Sequence, residues 1–147
     1  MTPAESFPQL TAASQRQVHL SLCEHALAHW TNYVRTHASL RYIDSVVGMQ
    51  HEVDIGLPAD ALRSARAGVD LANVASRYRE PIVAMQDDDL NFPEPVEFAY
   101  YAIYNCFRKH ACGEDIDPWL IVNQALSSSE DKESWLPQLA QAIAAAI

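Results

Sequence analysis

The sequence is poor in basic residues and in glycine. It has 10 Lys and Arg residues against 19 Asp and Glu residues, which gives a formal net charge of −9 at pH 7. Binding to nucleic acid requires clustered Lys and Arg to neutralise phosphates, and the basic residues here are scattered, so no nucleic-acid partner is expected. Only four glycines and 49% apolar residues argue against both a disordered chain and a turn-rich β-sandwich.

Motifs for cofactor binding and catalysis are also missing. The chain has no Gly-rich phosphate loop and no nucleophile motif, and its three cysteines, Cys23, Cys106 and Cys112, form no CxxC pair. We expect reduced, mostly buried thiols, which are typical of the cytoplasm. The sequence predicts a binding protein without cofactor or enzymatic activity.

Targeting and membrane signals are absent from the sequence as given. Residues Met1–Leu10 lack the basic and apolar regions of a secretory signal, and no apolar run approaches the length of a membrane span. We therefore expect a soluble cytoplasmic protein with no membrane partner. The 147 residues fit a single domain, residues 1–147, that begins with an N-terminal arm over residues 1–13.

The apolar pattern predicts an all-α domain of about six or seven helices. A stripe with steps of three and four residues predicts a first helix from about Ser14 to His37. A second helix is predicted from Leu40 to about Asp54, and a third begins at Ala59 and ends or kinks near Pro81. The stripe of the first helix consists of Leu20, Cys23, Leu27, Trp30 and Val34.

Capping signals predict the remaining helices. Pro95 suits the first turn of a helix that runs to about Ala111, with Gly113 as its stop. Asp117 followed by Pro118 is a strong start signal for the next helix. A last helix carries apolar residues at every fourth position, namely Trp135, Leu139, Ile143 and Ile147.

An acidic stretch precedes an aromatic segment in the second half of the chain. Five carboxylates and no basic residue lie between positions 87 and 97, namely Asp87, Asp88, Asp89, Glu94 and Glu97. One interpretation is a solvated loop whose carboxylates favour the dipole of the following helix. The other is a surface for a basic protein, because clustered like charges repel one another unless a partner relieves them.

The helix that follows carries aromatic residues beside these carboxylates. At helical spacing, Phe98 and Tyr101 fall on the same face as Glu94 and Glu97, opposite a core face. Aromatic rings beside charges are typical of a surface that binds a protein partner. The alternative is that both rings are buried against another helix.

Histidines on the first helix offer a hypothesis of a different class. His19, Cys23, His25 and His29 have side chains that bind metals, but at helical spacing His25 and His29 point away from Cys23. A small helical enzyme or metal-binding protein would have to use His25 and His29 with carboxylates from elsewhere in the fold. Without such a cluster, these residues are ordinary surface and core positions.

The segments Ala99–Asn105 and Asp117–Leu126 resemble small helical immunity proteins, which are encoded beside bacterial toxin effectors. The resemblance covers about residues 94–128. It implies a cytoplasmic protein that binds one cognate toxin and blocks its active site. We therefore predict a toxin inhibitor with no bound metal, and a module that self-associates through its aromatic face is the remaining alternative. The residues predicted to bind the partner are Asp87, Asp88, Asp89, Glu94, Glu97, Phe98 and Tyr101.

Overall fold

The computed structural model describes residues 1–37 and 39–147. These residues form seven α-helices, two short 3-10 helices and one two-stranded antiparallel hairpin. The strands are β1 (Arg41–Ile43) and β2 (Gln50–Glu52), and the 3-10 helices are Phe7–Gln9 and Lys132–Ser134. The α-helices are α1 (Pro3–Ser6), α2 (Ala12–Arg35), α3 (Leu57–Ala67), α4 (Val74–Gln86), α5 (Glu94–His110), α6 (Pro118–Ser127) and α7 (Trp135–Ala146).

Helices α2 and α5 form the centre of the fold. Both pack against α3 and α6, and α2 also packs against α7. Between α2, α4 and α5 lies an aromatic cluster in which Trp30 contacts Phe92 and Tyr100, and Tyr100 contacts Tyr78. The side chains of Trp30, Tyr78 and Tyr100 are almost fully buried. Burial of these large rings accounts for much of the apolar free energy of folding.

Four predicted helices are confirmed, together with the signals that begin and end them. The first helix and the helix after Pro95 correspond to α2 and α5, within two residues at each end. Asp117 accepts a hydrogen bond from the backbone N–H of Trp119 (3.0 Å) and so begins α6 as predicted. Pro137 lies in the first turn of α7, where its missing N–H costs no helical hydrogen bond.

The predicted helix over Leu40–Asp54 is wrong, because this segment is the hairpin. Tyr42 points into the core while its neighbours Arg41 and Ile43 are exposed, which is the two-residue period of a strand. Gly48 adopts φ +70° in the connecting turn and allows the chain to reverse. The all-α prediction therefore holds for most of the chain but not for this element.

The predicted long helix from Ala59 is also wrong, because it is two helices. The break falls at Gly68, which has φ +73° at the end of α3, and not at Pro81, which lies inside α4. The side chain of Asp70 then accepts the backbone N–H groups of Val74 (2.8 Å) and Ala75 (3.1 Å). This cap begins α4 and stabilises the break between the helices.

The N-terminal residues are folded against the domain. Thr2 and Glu5 form a reciprocal capping box on α1, and the side chain of Phe7 is buried beside His19 and Trp119. In the part of the chain that the structure describes, no helix is both long enough and apolar enough to cross a membrane.

Candidate protein-binding surface

Asp87, Asp88 and Asp89 follow the last residue of α4, Gln86, and cap the C-terminal end of the helix. The backbone N–H of Asp89 donates to the carbonyl of Ala84 (2.8 Å), and that of Asp88 donates to Met85 (3.3 Å). This pair of hydrogen bonds is a Schellman motif, which ends a helix through one residue in the left-handed conformation. That residue is Asp88, with φ +59°.

The position of these aspartates is unfavourable for the helix. The C-terminus of a helix carries partial negative charge, which favours basic residues and disfavours carboxylates. Glycine is also the residue best suited to the left-handed position that Asp88 occupies. The interpretation of the whole stretch as dipole-favouring carboxylates therefore suits Glu94 and Glu97 in the first turn of α5, but not the three aspartates.

Replacement of Asp88 by glycine is expected to stabilise the protein by about 0.5–1 kcal/mol, because it relieves the left-handed strain and removes a charge from the helix end. Asp88→Asn is the matched control, since it removes the charge but keeps a side chain. Urea unfolding of the two variants separates the contributions. A less stable Asp88→Gly variant would show that the Asp88 side chain stabilises the fold.

The aspartates are joined to the hairpin by hydrogen bonds. Asp89 Oδ2 accepts the backbone N–H and the hydroxyl of Ser45, at 2.9 and 3.0 Å. In β2, His51 Nε2 lies 2.8 Å from Asp44 Oδ2 and 3.5 Å from Glu80 Oε1 of α4. The hairpin is thus held by Asp89 after the end of α4 and contacts Glu80 within the helix.

Charge around this junction affects two carboxyl groups in opposite directions. Hydrogen bonds from the backbone of Val47 and from His51 lower the pKa of Asp44, so it stays ionised. Burial, and then the nearby charge of Asp89, raise the pKa of Glu80. The second shift therefore reflects mainly the burial of Glu80, with repulsion by Asp89 as the smaller cause.

The other four predicted residues lie on α5, away from the end of α4. Glu94, Glu97, Phe98 and Tyr101 line a groove of about 330 Å³ together with Gln124 of α6. Both aromatic side chains are half-buried, so neither alternative of the sequence prediction describes them fully. Burial, followed by the charge of Glu97, raises the pKa of Tyr101.

The seven predicted partner-binding residues therefore belong to two surfaces. We call Asp87, Asp88 and Asp89 with the hairpin the acidic hairpin surface, and the residues around Phe98 the aromatic groove. A second groove, of about 390 Å³, continues from Glu94 and Phe98 to Trp135. In the first surface, hydrogen bonds from Ser45 in the hairpin turn hold Asp89, whereas the second surface faces α6 and α7.

The histidines of α2 do not form a metal cluster. His25 is exposed, His29 is half-buried, and Cys23 is fully buried next to Cys106. Within residues 1–37 and 39–147, no group of three or more His, Cys, Asp or Glu side chains is arranged to hold a metal ion. His19, the remaining histidine of α2, is completely buried.

His19 of α2 pairs with His110 of α5. His19 Nε2 lies 2.8 Å from the carbonyl of Pro118, and a carbonyl only accepts, so Nε2 carries the proton. His19 Nδ1 is then an acceptor, and it lies 2.8 Å from Nε2 of His110, which must donate. Burial lowers the pKa of both His19 and His110 to about 4, so the pair is neutral at pH 7.

A cavity of about 550 Å³ opens beside this pair and carries charges of both signs, Arg16, Lys109, Glu114 and Asp115. Its cations are already engaged, because Arg16 donates to two carbonyls of α3 and Lys109 donates to the carbonyl of Ile116. Sequence reasoning missed the histidine pair because its members are 91 residues apart. The pair is a neutral, internally satisfied link between α2 and α5.

Arg77 links α4 to α3 and to Asp54, which follows β2. Its guanidinium forms two hydrogen bonds with Asp54, at 2.9 and 3.1 Å, and a third with Asp60 at 2.8 Å. Hydrogen bonds from Arg77 lower the pKa of Asp60. This salt-bridge network fixes α4 where it supports the acidic hairpin surface.

Comparison of the chain with protein-family models, curated proteins and solved structures finds no match. The function is therefore inferred from the charge and geometry of these surfaces.

Proposed function

We propose that this chain is an immunity protein, a stoichiometric inhibitor that binds one basic bacterial toxin effector in the cytoplasm and blocks its active site. The observation that carries the proposal is the position of Asp87, Asp88 and Asp89. Three carboxylates occupy the end of a helix that disfavours them. Departures from local structural preference concentrate at functional sites, because selection for binding offsets the loss of stability.

The charge of the chain supports a basic partner. A net charge of −9 steers a positively charged protein toward the acidic hairpin surface and raises the rate of association. Glu94 and Glu97, which line the aromatic groove, add to the same negative electrostatic field. Occlusion by a preformed surface requires neither a cofactor nor catalytic groups in the inhibitor.

Affinity purification from the native host, at low and then at high salt, tests the proposal. The chain carries a tag, and the recovered proteins are identified and quantified by mass spectrometry. We expect one basic protein in near-equal amount, and a smaller recovery as the salt concentration rises, because salt screens exposed charges. Recovery of no protein in stoichiometric amount would contradict the proposal.

A further inference from the structure

The turn of the hairpin exposes a group of large apolar side chains. The exposed fractions are 61% for Ile43, 81% for Val46, 72% for Val47 and 59% for Met49. Turns ordinarily consist of Gly, Pro, Asn, Asp and Ser, which suit their backbone angles and their contact with water. The adjacent Val46 and Val47 at the apex suit neither the backbone angles of a turn nor contact with water, so the needs of the turn do not explain them.

The turn has a defined conformation in spite of this exposure. Asp44 Oδ1 accepts the backbone N–H groups of Val46 (3.1 Å) and Val47 (2.7 Å). The backbone N–H of Asp44 donates to the carbonyl of Met49 (3.0 Å), and that of Gly48 donates to the carbonyl of Asp44 (3.0 Å). These bonds hold the two valines at the apex, which lowers the entropy cost of using them in binding.

The strands also anchor the turn to the domain. Tyr42 is buried and its ring stacks on that of His51, with centroids 5.1 Å apart. The Ser45 contacts with Asp89 hold the other side of the turn. The hairpin therefore presents its apex from a rigid base.

We propose that the hairpin apex, Ile43, Val46, Val47 and Met49, is the apolar anchor that seats in a cleft of the basic partner protein. This inference rests on the proposed function. Carboxylates lie beside the apex, with Asp44 in the turn, and with Glu80 near His51 and Asp89 on Ser45 along the side that faces α4. An apolar centre with a charged rim is the usual anatomy of a protein interface. The sign of the rim selects a basic cleft, because acidic side chains around a second copy of the same apex would repel.

The test measures the affinity of the basic protein recovered in the affinity purification, purified separately, for three forms of the chain. The first is the wild type and the second is Val46→Ser/Val47→Ser, which keeps the backbone N–H groups that Asp44 accepts. The third is the control Val69→Ser/Leu136→Ser, which removes two exposed apolar side chains elsewhere. We expect the hairpin variant to bind at least tenfold more weakly, mainly through faster dissociation, and the control to bind like the wild type.

The outcomes separate this inference from the proposed function. If the wild type binds the basic protein and the hairpin variant binds equally well, the anchor is wrong and the proposed function stands. If the purification recovers no partner, the proposed function fails and the anchor fails with it. If the wild type alone forms a dimer that Val46→Ser/Val47→Ser abolishes, the apex binds a second copy and the inference is overturned.

Discussion

Reversal of charge at Asp87 and Asp88 is expected to weaken binding of the basic partner at least 100-fold, on the order of 3 kcal/mol. The variant Asp87→Lys/Asp88→Lys places two positive charges where the partner is expected to carry its own. Loss of steering lowers the association rate, and like charges across the interface raise the dissociation rate. Surface plasmon resonance at two salt concentrations measures both rates.

The matched control is Asp115→Lys/Glu133→Lys, which changes the net charge by the same amount at two other exposed positions. Asp89 is left unchanged in the test variant because it accepts two hydrogen bonds from Ser45, so its replacement would also loosen the hairpin. Equal losses of affinity in both variants would show that only the total charge matters. Full affinity in the test variant would remove the aspartates from the interface.

The same experiment with Glu94→Lys/Glu97→Lys asks whether the partner also covers the aromatic groove. Weaker binding of this variant would show that the partner covers both surfaces, and full affinity would show that it contacts only the hairpin side. Because Glu94 and Glu97 lie in the first turn of α5, their reversal also opposes the helix dipole. Thermal unfolding of this variant is therefore measured beside its affinity.

Acidification is expected to destabilise the protein through the histidine pair, well above the pH at which carboxylates protonate. An unfolded His19 binds a proton near pH 6.5, whereas the folded residue does so only near pH 4. Between these values the unfolded state holds more protons, so stability is complete above about pH 6.5 and falls as the pH falls. For His19 alone the loss is about 2 kcal/mol at pH 5 and about 3 kcal/mol at pH 4.

His110 adds to the loss, because burial and the neighbouring His19 lower its pKa as well. The positive charge of Lys109 opposes protonation of both histidines, and that of Arg16 opposes protonation of His110. The total is smaller than two independent histidines would give, since one proton can be shared along the bond between the rings.

Urea unfolding of the wild type and of His19→Gln/His110→Gln, at pH 7.5 and at pH 5, measures this contribution. The variant retains His29, whose pKa burial also lowers, so the difference between the two pH dependences isolates the pair. We expect the wild type to lose more stability than the variant. An NMR titration in which His19 protonates near pH 6.5 would contradict the account.

The helices that the sequence predicted well are those with complete local signals. The stripe of α2 repeats over several turns, and α6 begins at an Asp-Pro pair whose capping bond is present in the structure. Each signal acts over a few residues, so it can be recognised in the sequence without knowledge of the fold. The break between α3 and α4 falls at Gly68, and because a helix also tolerates an isolated glycine, the apolar pattern alone does not reveal this break.

The hairpin and the histidine pair depend on contacts that no local pattern contains. The apolar residues between Tyr42 and Met49 are compatible with a helix, but most of them are exposed in the structure. What decides the strands is the burial of Tyr42 and the attachment of Ser45 to Asp89, which lies 44 residues later. The acidic stretch was predicted as one site, but the fold directs its two halves to different elements.

The central claim is that this chain neutralises a toxin by binding it. The most direct measurement is the growth of cells that express the basic protein recovered in the affinity purification, with and without this chain. The account predicts arrested growth without the chain, recovery with the wild type, and no recovery with Asp87→Lys/Asp88→Lys. Growth that stays arrested in the presence of abundant, folded wild-type chain would contradict it.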